Sequence, residues 1–426
     1  MAREMIVKPV CLAIFVASVF LVGFTGCVVW KLASTKNRLR AHPATCSPII
    51  SKHPTPRLYT EAGHIRPMPD GMDDDKLAPL TREAQAYIHE RQSVPSCSKV
   101  QIMVSHGAVS GFGSEMHVMG GMLAFALENN HTLVLSPQAC NTFTDSAGCE
   151  LLFQPISSCD YHTIIKHHPN PTIVDPQHLI IGSTTKLKSA LYLAQQYPVG
   201  LGDAITTAVP SRLKEKLQSK IPNMSRDQIK FWWRAQSVAY IMRLNADTIR
   251  AIVRLRTDPL FHYYTNCNST PFPLPANTLA MHIRGGDKWT EMKLVPPLKF
   301  IATAAALFEN MPLSFSSRNI FISSDYEAAI QETRHNAEEM GLSVIYSHIY
   351  REPRGQEYAV WKKQHNRLKM THTHLLQLLM SLEADSWIGT RGSNWNRLID
   401  ELRCVWVEKC SNQYTEVGDS YEGYNW

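Results

Sequence analysis

The sequence has 426 residues, 44% of them hydrophobic and 19% charged, which is enough apolar material for one large domain or two of ordinary size. Forty-three Lys and Arg residues against 37 Asp and Glu give a net charge of +6. This composition excludes global disorder, and the net positive charge is too small and too diffuse to predict binding to nucleic acid.

The N-terminal region predicts a membrane anchor. Pro9–Trp30 is an uncharged stretch of 22 residues, long enough for a helix to cross the hydrocarbon core of a bilayer. Residues 1–8 would then form a cytoplasmic tail. Basic residues after the stretch outnumber those before it, which favours a cytosolic C-terminal part. Sequons at Asn130, Asn223 and Asn268 favour a luminal one, and we adopt this orientation.

The ten cysteines indicate an oxidising compartment. Eight of them lie outside the apolar stretch, an even number that fits disulfides, and no CxxC pair suits a zinc ribbon. Cys404 and Cys410 are close enough in sequence to pair, but the pairing as a whole stays open. Residues 24–27 also imitate a bacterial lipoprotein cleavage site, which is an alternative to the anchor.

Residues 31–96 predict a stem or linker, because they contain eight prolines and no sustained apolar period. The acidic run Asp73–Asp75 lies in this region. No apolar strand precedes it, so it predicts a solvated turn and not a metal site.

From Cys97 onward, the pattern alternates between strands and helices. Val100–Val104, a glycine-bearing turn at Gly107–Gly113, Glu115–Asn129 and Thr132–Leu135 predict a strand, loop, helix and strand. Further along, one long helix and then a second βα series are predicted, in the following order: helix 226–256, strand 278–283, helix 297–307, strand 319–323, helix 327–340, strand 343–346, helix 371–384, strand 386–389 and helix 394–403.

This alternation predicts an α/β fold with parallel sheets covered by helices on both faces. Two such series predict two Rossmann-like halves that face a cleft. We place the first, acceptor-side half at residues 97–275 and the second, nucleotide-sugar-binding half at residues 276–426.

The sharpest candidate site is the turn that follows the strand at 278–283. Arg284, Asp287, Lys288 and Glu291 stand in a glycine-containing turn where ligands of α/β sheets bind. An arginine fork and a lysine charge suit the oxygens of a diphosphate. The alternative is a solvated charged turn, which such dense charge after a buried strand disfavours.

Two other turns could line the same cleft. Gly389–Asn394 opens the last helix, and Ser393 there could either cap that helix or bind a phosphate, two alternatives that stay equal. Gly111 and Gly113 form a weak Gly-x-Gly signal, and His117 after them favours a structural role. No P-loop, HExxH or GxSxG motif occurs, which disfavours a P-loop nucleotidase, a zincin and an ordinary serine hydrolase.

The stretch His282–Lys288, HIRGGDK, resembles the His-x-Arg-Arg-x-Asp-Lys motif of the α1,6-fucosyltransferase family. Other stretches agree with this family in the same order along residues 99–403. They are the Gly111–His117 loop with the 132–135 strand, Ala147–Cys159, the Trp232-Trp233 helix, Ser324-Asp325, and Asp385 to Glu401.

The resemblance implies a GT-B-type fold, GDP-fucose as donor, inversion at the sugar carbon, and neither a cofactor nor a metal. It implies that Arg284 and Lys288 hold the diphosphate and neutralise the leaving GDP, and that Glu291 is the catalytic base. Asp287 would orient a neighbouring cation. The remaining donor-binding residues would be His282 and Asp325 on the guanosine side, Ser393 at a phosphate, and Gly286, Gly111 and Gly113.

Three departures from the family concern the acceptor more than the donor. Gly285 stands where the family has a second arginine, and Gln377 stands where an acidic residue is expected. The SH3-like C-terminal domain of the animal enzymes is expected to be missing, since 23 residues follow Arg403.

The resulting prediction is a Golgi membrane protein of type II, anchored by Pro9–Trp30, with its catalytic part in the lumen. It would transfer fucose from GDP-fucose to a glycan or glycoprotein, with an α1,6 bond to an N-acetylglucosamine of an N-glycan. The alternatives are a protein O- or polysaccharide fucosyltransferase on the same scaffold, or a catalytically inactive glycan-binding membrane protein. No nucleic-acid partner is expected, and whether the chain forms a homodimer stays open.

Overall fold

Two β-sheets and the helices packed on them form the described part of the protein. The structure is a computed structural model. It describes residues 77–107, 111–144, 148–167, 172–175, 178–181, 209–258, 260–265, 272–286, 293–310, 318–349, 351, 366–410 and 414–418. The predicted anchor Pro9–Trp30 lies outside these ranges. Within them, no helix is both long enough and apolar enough to cross a membrane.

The secondary structure follows the predicted alternation. The strands are β1 Gln101–Ser105, β2 His131–Leu135, β3 Thr172–Asp175, β4 His178–Ile181, β5 His262–Tyr264, β6 Thr278–Ile283, β7 Asn319–Ser324, β8 Ser343–Ser347, β9 Ser386–Gly389 and β10 Thr415–Glu416. The α-helices are α1 Ala78–Gln92, α2 Phe112–Glu128, α3 Asn141–Thr144, α4 Tyr161–His167, α5 Ser211–Lys220, α6 Arg226–Ile241, α7 Ala246–Thr257, α8 Pro297–Glu309, α9 Glu327–Glu339, α10 Arg367–Glu383 and α11 Asn394–Trp406. Short 3-10 turns lie at Cys97–Lys99 and Cys149–Leu151.

The two sheets differ in their strand directions. The second sheet has the order β10-β9-β6-β7-β8-β5, and all neighbours are parallel except the edge pair β8 and β5. The first sheet has the order β2-β1-β4-β3, and only β1 and β2 are parallel. The prediction of parallel sheets is therefore right for the core of the second sheet and wrong for two of the three strand pairs in the first. β4 pairs antiparallel with both of its neighbours, in a segment for which the sequence predicts no strand.

Helices cover both faces of the second sheet, as predicted. Ala280 and Phe321 point into a hydrophobic cluster shared with helices α2, α6, α10 and α11, whereas Leu279 and Met281 face a second cluster with α8 and α9. This alternation is the period of two expected when a strand is buried on both faces. Met103 of the first sheet belongs to the shared cluster as well, so one helical layer packs against both sheets.

Helix α1 corrects the predicted extent of the stem. Its residues Leu80, Ala84 and Ile88 are buried in the shared core, and the Gln85 side chain donates to the Gln236 carbonyl of α6 at 2.9 Å. The helix begins beside Pro79, a residue that the first helical turn tolerates because its missing N–H has no partner there. The apolar stripe is only three turns long and follows a proline-rich segment, so the sequence pattern does not distinguish this helix from the stem.

The long helix predicted for residues 226–256 is two helices. Ser225 and Gln228 form a capping box at the start of α6, and Asn245 caps α7 through the amide of Thr248 at 2.8 Å. The intervening residue Leu244 forms a β-bridge with Phe153. This bridge fixes the loop at 149–157 against the helix pair.

Three disulfides join described cysteines, whereas the oxidising compartment stays a prediction. The pairs are Cys97–Cys159, Cys140–Cys149 and Cys404–Cys410. The first two tie the loops around β1 and β2, and the third closes the end of α11. The position of the boundary between the two predicted halves stays a prediction.

Candidate donor-binding site

The carboxyl ends of three parallel strands meet at one edge of the second sheet. β6 lies between β7 and β9, with His282 opposite Ser323 and Met281 opposite Ile388. The residues after these strands, Arg284, Asp325 and the Thr390 turn, therefore come together, as the sequence predicts for a ligand site at the carboxyl edge.

Arg284 and Asp325 form an ion pair across the ends of β6 and β7. The other carboxylate oxygen of Asp325 accepts the backbone N–H of Gly285 at 2.8 Å. Each side chain is a little over one-fifth exposed. One carboxylate thus fixes both the backbone of the turn and its guanidinium, which holds the arginine in a set position at the carboxyl edge of the sheet. The predicted role of Asp325 on the guanosine side stays a prediction.

No side chain fits at Gly285. A Cβ built on this residue would lie 2.6 Å from Cβ of Tyr326, and Gly286 beside it has φ of +55°. The packing of Tyr326 against this turn therefore leaves no space for the second arginine of the motif, so more than one residue differs from the motif's arrangement. An arginine at position 285 would require Tyr326 and the end of β7 to move.

His282 is a buried neutral group under the turn. Its Nδ1 shares a hydrogen bond with the hydroxyl of Ser323 at 3.0 Å, and its carbonyl accepts from Asn396 at 3.3 Å. Burial lowers the pKa of His282 to about 3, and the charges of Arg284 and His374 act in the same direction. The imidazole is uncharged at neutral pH and joins β6 to β7 and α11. Its predicted place on the guanosine side stays a prediction.

Ser393 stands at the N-cap position of α11 without capping it. Its side chain makes no hydrogen bond to the first-turn amides, while its backbone N–H donates to Thr390 at 3.0 Å. The first turn of α11 contains no acidic residue. No carboxylate in that first turn therefore offsets the partial positive charge of this helix end. Of the two predicted roles of Ser393, the structure does not support the cap, and the phosphate role stays a prediction.

The glycine-containing start of α2 touches this helix end directly. Gly111 is the N-cap of α2, and a Cβ built on Gly113 would lie 2.9 Å from the carbonyl carbon of Asn394. The side chain of Asn394 donates to the hydroxyl of Ser114. The N-termini of α2 and α11 therefore meet without an intervening side chain.

Aromatic rings extend this contact. Phe112 lies against Trp395 with ring centroids 5.7 Å apart, and His282 and His374 lie 6.0 and 6.3 Å from the same tryptophan. Burial lowers the pKa of His374 to about 4, and the charge of Arg351 adds to this effect. The cluster brings together the glycine loop, α10, α11 and the end of β6.

A buried ion network holds the same helices. The carboxylate of Glu401 on α11 accepts from Arg234 on α6 and from His117 on α2, the latter at 2.8 Å. Burial alone would raise the pKa of Glu401, but the charges of Arg234 and His117 outweigh burial, so the pKa is lowered. His117 therefore has a structural role, as the sequence favours.

Arg351 completes the edge of the sheet below the turn. Its guanidinium donates to the carbonyls of Ser324 at 3.1 Å and Ser347 at 2.8 Å, and pairs with Glu327 at 2.6 Å. It satisfies the carbonyls at the ends of β7 and β8. Nothing near Arg351 has a recognisable period, so the sequence gives no signal for this residue.

The structure does not describe every predicted site residue. Asp287, Lys288 and Glu291 lie outside the described residues, so their roles stay predictions. Gln377 is buried on α10. Among the described residues, no group of three or more His, Cys, Asp or Glu side chains is arranged to hold a metal ion.

Tyr326 and Trp395 are the main site residues that the sequence analysis missed. Each directly follows a motif that it did single out, Ser324-Asp325 and Gly389–Asn394. Their position directly after a strand-end motif could have identified them, because the first residues beyond such a motif line the same edge of the sheet.

No family model and no curated protein matches the sequence. Solved structures with a similar arrangement include FUT1 of Arabidopsis thaliana in complex with GDP, with 9% identity, a TM-score of 0.43, and coverage of 82% of this chain and 81% of that one. The α1,6-fucosyltransferase NodZ soaked with GDP-fucose has 11% identity and a TM-score of 0.37, over 71% of this chain and 93% of that one.

POFUT1 in complex with GDP-fucose has 12% identity and a TM-score of 0.38, over 74% of this chain and 97% of that one. Similarities at this level of identity and superposition do not establish a function, a substrate or the role of any residue in this chain.

Proposed function

We propose that this protein is an inverting, metal-independent glycosyltransferase of the GT-B type that transfers fucose from GDP-fucose to a glycan. The observation that carries the proposal is the Arg284–Asp325 pair at the carboxyl edge of the second sheet. It places a fixed cation beside a helix N-terminus whose first turn has no acidic residue. These two features suit the diphosphate of a nucleotide sugar.

In this proposal the acceptor hydroxyl oxygen attacks the anomeric carbon of fucose while the bond from that carbon to the GDP oxygen breaks. Glu291 takes the hydroxyl proton, and the departing electron pair stays on GDP. Arg284 and Lys288 stabilise the negative charge that develops on the diphosphate. Asp325 positions Arg284, and Ser393 contacts a phosphate.

The acceptor proposed first is N-acetylglucosamine of an N-glycan, joined through an α1,6 bond. Gly285 favours a second candidate, a protein O- or polysaccharide fucosyltransferase. Tyr326 occupies the space that the second arginine of the α1,6 motif would need. Both candidates share the donor and differ in the acceptor.

We further propose that the protein is anchored by Pro9–Trp30 in the Golgi membrane with its folded part in the lumen. The three disulfides support an oxidising compartment. Two of the sequon asparagines, Asn130 and Asn223, are exposed, as glycosylation requires.

Calorimetric titration of the full chain with GDP, UDP and GMP, each with and without EDTA, tests the donor class. We expect GDP to bind most tightly, with no effect of EDTA, and Asp325→Asn to weaken GDP binding about 10- to 100-fold because Arg284 loses its partner. Asp247→Asn is the matched control, since Asp247 forms an exposed ion pair with Arg250 on α7. Equal binding of all three nucleotides, or an equal effect of both variants, would contradict the proposal.

A further inference from the structure

A cavity lies beside the first sheet, at the carboxyl end of β2. Its volume is about 280 Å³. Its lining comes from the residues after β2, the loop at 148–157, the start of α4 and the end of α6. None of the strand-end residues of the second sheet belongs to it, so it is separate from the candidate donor site.

The walls of the cavity are fixed before any ligand arrives. The disulfides Cys140–Cys149 and Cys97–Cys159 each contribute one cysteine to the lining. The backbone N–H of Gln154 donates to Arg243 at 2.7 Å, and its side-chain amide donates to Leu244 at 3.1 Å. A site held in this way loses little conformational entropy when it binds.

The lining combines an apolar floor with hydrogen-bonding groups. Phe153, Ile156 and Ile241 are buried side chains of the floor, whereas Glu150 and Asp160 are exposed carboxylates. Small hydrogen-bonding side chains and a tyrosine ring make up much of the remainder, namely Ser136, Gln154, Ser157, Tyr161 and His162.

The charges of the lining exclude one class of ligand. Among the lining residues that the structure describes, none is a lysine or an arginine, while two are carboxylates. The guanidinium of Arg243 is bonded to the Pro155 carbonyl at 3.0 Å and lies over the ring of Tyr240. A phosphate or a sugar acid would meet repulsion here.

An uncharged sugar ring fits this lining. Carboxylates and carboxamide oxygens accept hydrogen bonds from hydroxyl groups, and an aromatic ring with an apolar floor can cover the C–H face of a sugar. The volume lies just below the usual range of ligand pockets, about 300–1,000 Å³, so one or two rings are the expected size.

A chain of aromatic contacts links the floor of the cavity to the candidate donor site. Phe153 lies 6.4 Å from Phe112, and Phe112 lies 5.7 Å from Trp395 beside the Ser393 turn, measured between ring centroids. A saccharide bound in the cavity would therefore be two ring contacts away from the site proposed for the donor.

We infer that this cavity binds a neutral sugar ring of the acceptor glycan, away from the hydroxyl that is modified. The assignment of this sugar to the acceptor glycan rests on the proposed function, whereas the binding of a neutral saccharide does not. Tyr161 provides the stacking face and Glu150 accepts a sugar hydroxyl.

Saturation-transfer NMR on the full chain tests this site with three neutral disaccharides, N,N′-diacetylchitobiose, lactose and cellobiose, and with glucuronic acid as the charged comparison. We expect transfer to at least one neutral disaccharide and none to glucuronic acid. Tyr161→Ala should reduce the signal at least fivefold, and Glu150→Gln at least twofold. Tyr161→Phe, which keeps the ring, and Glu90→Gln, an exposed carboxylate on α1, are the matched controls.

GDP titration of the same samples separates this inference from the proposed function. Loss of the saccharide signal in Tyr161→Ala with unchanged GDP affinity supports the cavity. Saccharide binding that depends on Tyr161 in a protein that binds no GDP supports the cavity and contradicts the donor proposal. Absence of binding by all three neutral disaccharides, or equal signals in the wild type and in both variants, would overturn the inference.

Discussion

Gly113 on α2 and Asn394 on α11 are 281 residues apart in the sequence, yet a Cβ on Gly113 would lie 2.9 Å from the carbonyl carbon of Asn394. The N-terminal turns of α2 and α11 are thus in backbone contact at the candidate donor site. Such an approach requires a glycine, because a real Cβ does not come so close to another backbone.

Gly113→Ala should destabilise the protein although alanine is the better helix former by about 0.8–1 kcal/mol. The added methyl group must push α2 away from α11 and disturb the Ser393 turn, so GDP affinity should fall as well. Thermal unfolding and GDP titration measure both effects. Gly111→Ala is the control for the unfolding measurement, because a Cβ there meets no atom within 4 Å. A Gly113→Ala protein as stable as the wild type would refute the tight contact.

Glu401→Gln should destabilise the protein by about 3–5 kcal/mol, the usual cost of removing one partner of a buried ion pair. The variant removes the charge that Arg234 and His117 face between α2, α6 and α11. Urea unfolding at pH 7 provides the measurement, and Glu90→Gln on the exposed side of α1 is the control. If both variants unfold at the same urea concentration, the network has no stabilising role.

The buried histidines predict a loss of stability on acidification. Burial lowers the pKa values of His282 and His262 to about 3, below the value of about 6.5 in an unfolded chain. Below pH 6.5, the unfolded state binds protons that the folded state does not. The free energy of unfolding should therefore fall between pH 6.5 and pH 3, by about 1.4 kcal/mol per pH unit for each histidine.

His262→Asn tests this pH dependence away from the donor site. The unfolding free energy of this variant should fall less steeply than that of the wild type between pH 7 and pH 5, by the contribution of one buried histidine. Urea unfolding at pH 7, 6 and 5 gives the slopes. Parallel curves for the wild type and His262→Asn would show that burial does not depress this pKa.

Non-reducing peptide mapping should recover the pairs Cys97–Cys159, Cys140–Cys149 and Cys404–Cys410. Their loss should have unequal effects, since loop closure over 62 residues constrains the unfolded chain more than closure over 6. The expected costs are about 4 kcal/mol for Cys97→Ser with Cys159→Ser and about 2 kcal/mol for Cys404→Ser with Cys410→Ser. Other pairings in the map would contradict the fold around β1 and β2.

Glu291→Gln should separate chemistry from binding. As the proposed base it should lower turnover about 10²- to 10⁴-fold while the affinity for GDP stays close to that of the wild type. Single-turnover transfer and GDP titration on the same preparation measure the two effects. An equal loss in both would remove Glu291 from the role of base.

The sequence predicts the second half of the protein better than the first. The strands β6 and β9 match the predicted bounds at Thr278–Ile283 and Ser386–Gly389, because fully buried parallel strands have continuous apolar runs and glycine-rich ends. The first sheet is less regular. Its strands β3 and β4 are four residues long and pair antiparallel, too short for a pattern of period two to be distinct.

The candidate site shows the same division. Arg284, Asp325 and the Ser393 turn could be located from sequence, since each follows a strand whose end is visible in the residue pattern. The pairing of Arg284 with Asp325, and the contact of Tyr326 with Gly285, depend on the register between β6 and β7. No local pattern in the sequence encodes that register, so neither contact can be predicted from the sequence alone.

Transfer of radiolabelled fucose from GDP-fucose to an N-glycan mixture, in the presence of EDTA, tests the central claim most directly. The wild-type chain should transfer the label, and Arg284→Ala should lower kcat/KM about 10²- to 10³-fold by removing the cation that faces the leaving diphosphate. Arg250→Ala, which breaks only an exposed ion pair on α7, should leave the rate unchanged. A wild-type protein that neither binds GDP-fucose nor transfers its sugar would contradict the account. An Arg284→Ala variant with the same kcat/KM as the wild type would contradict it as well.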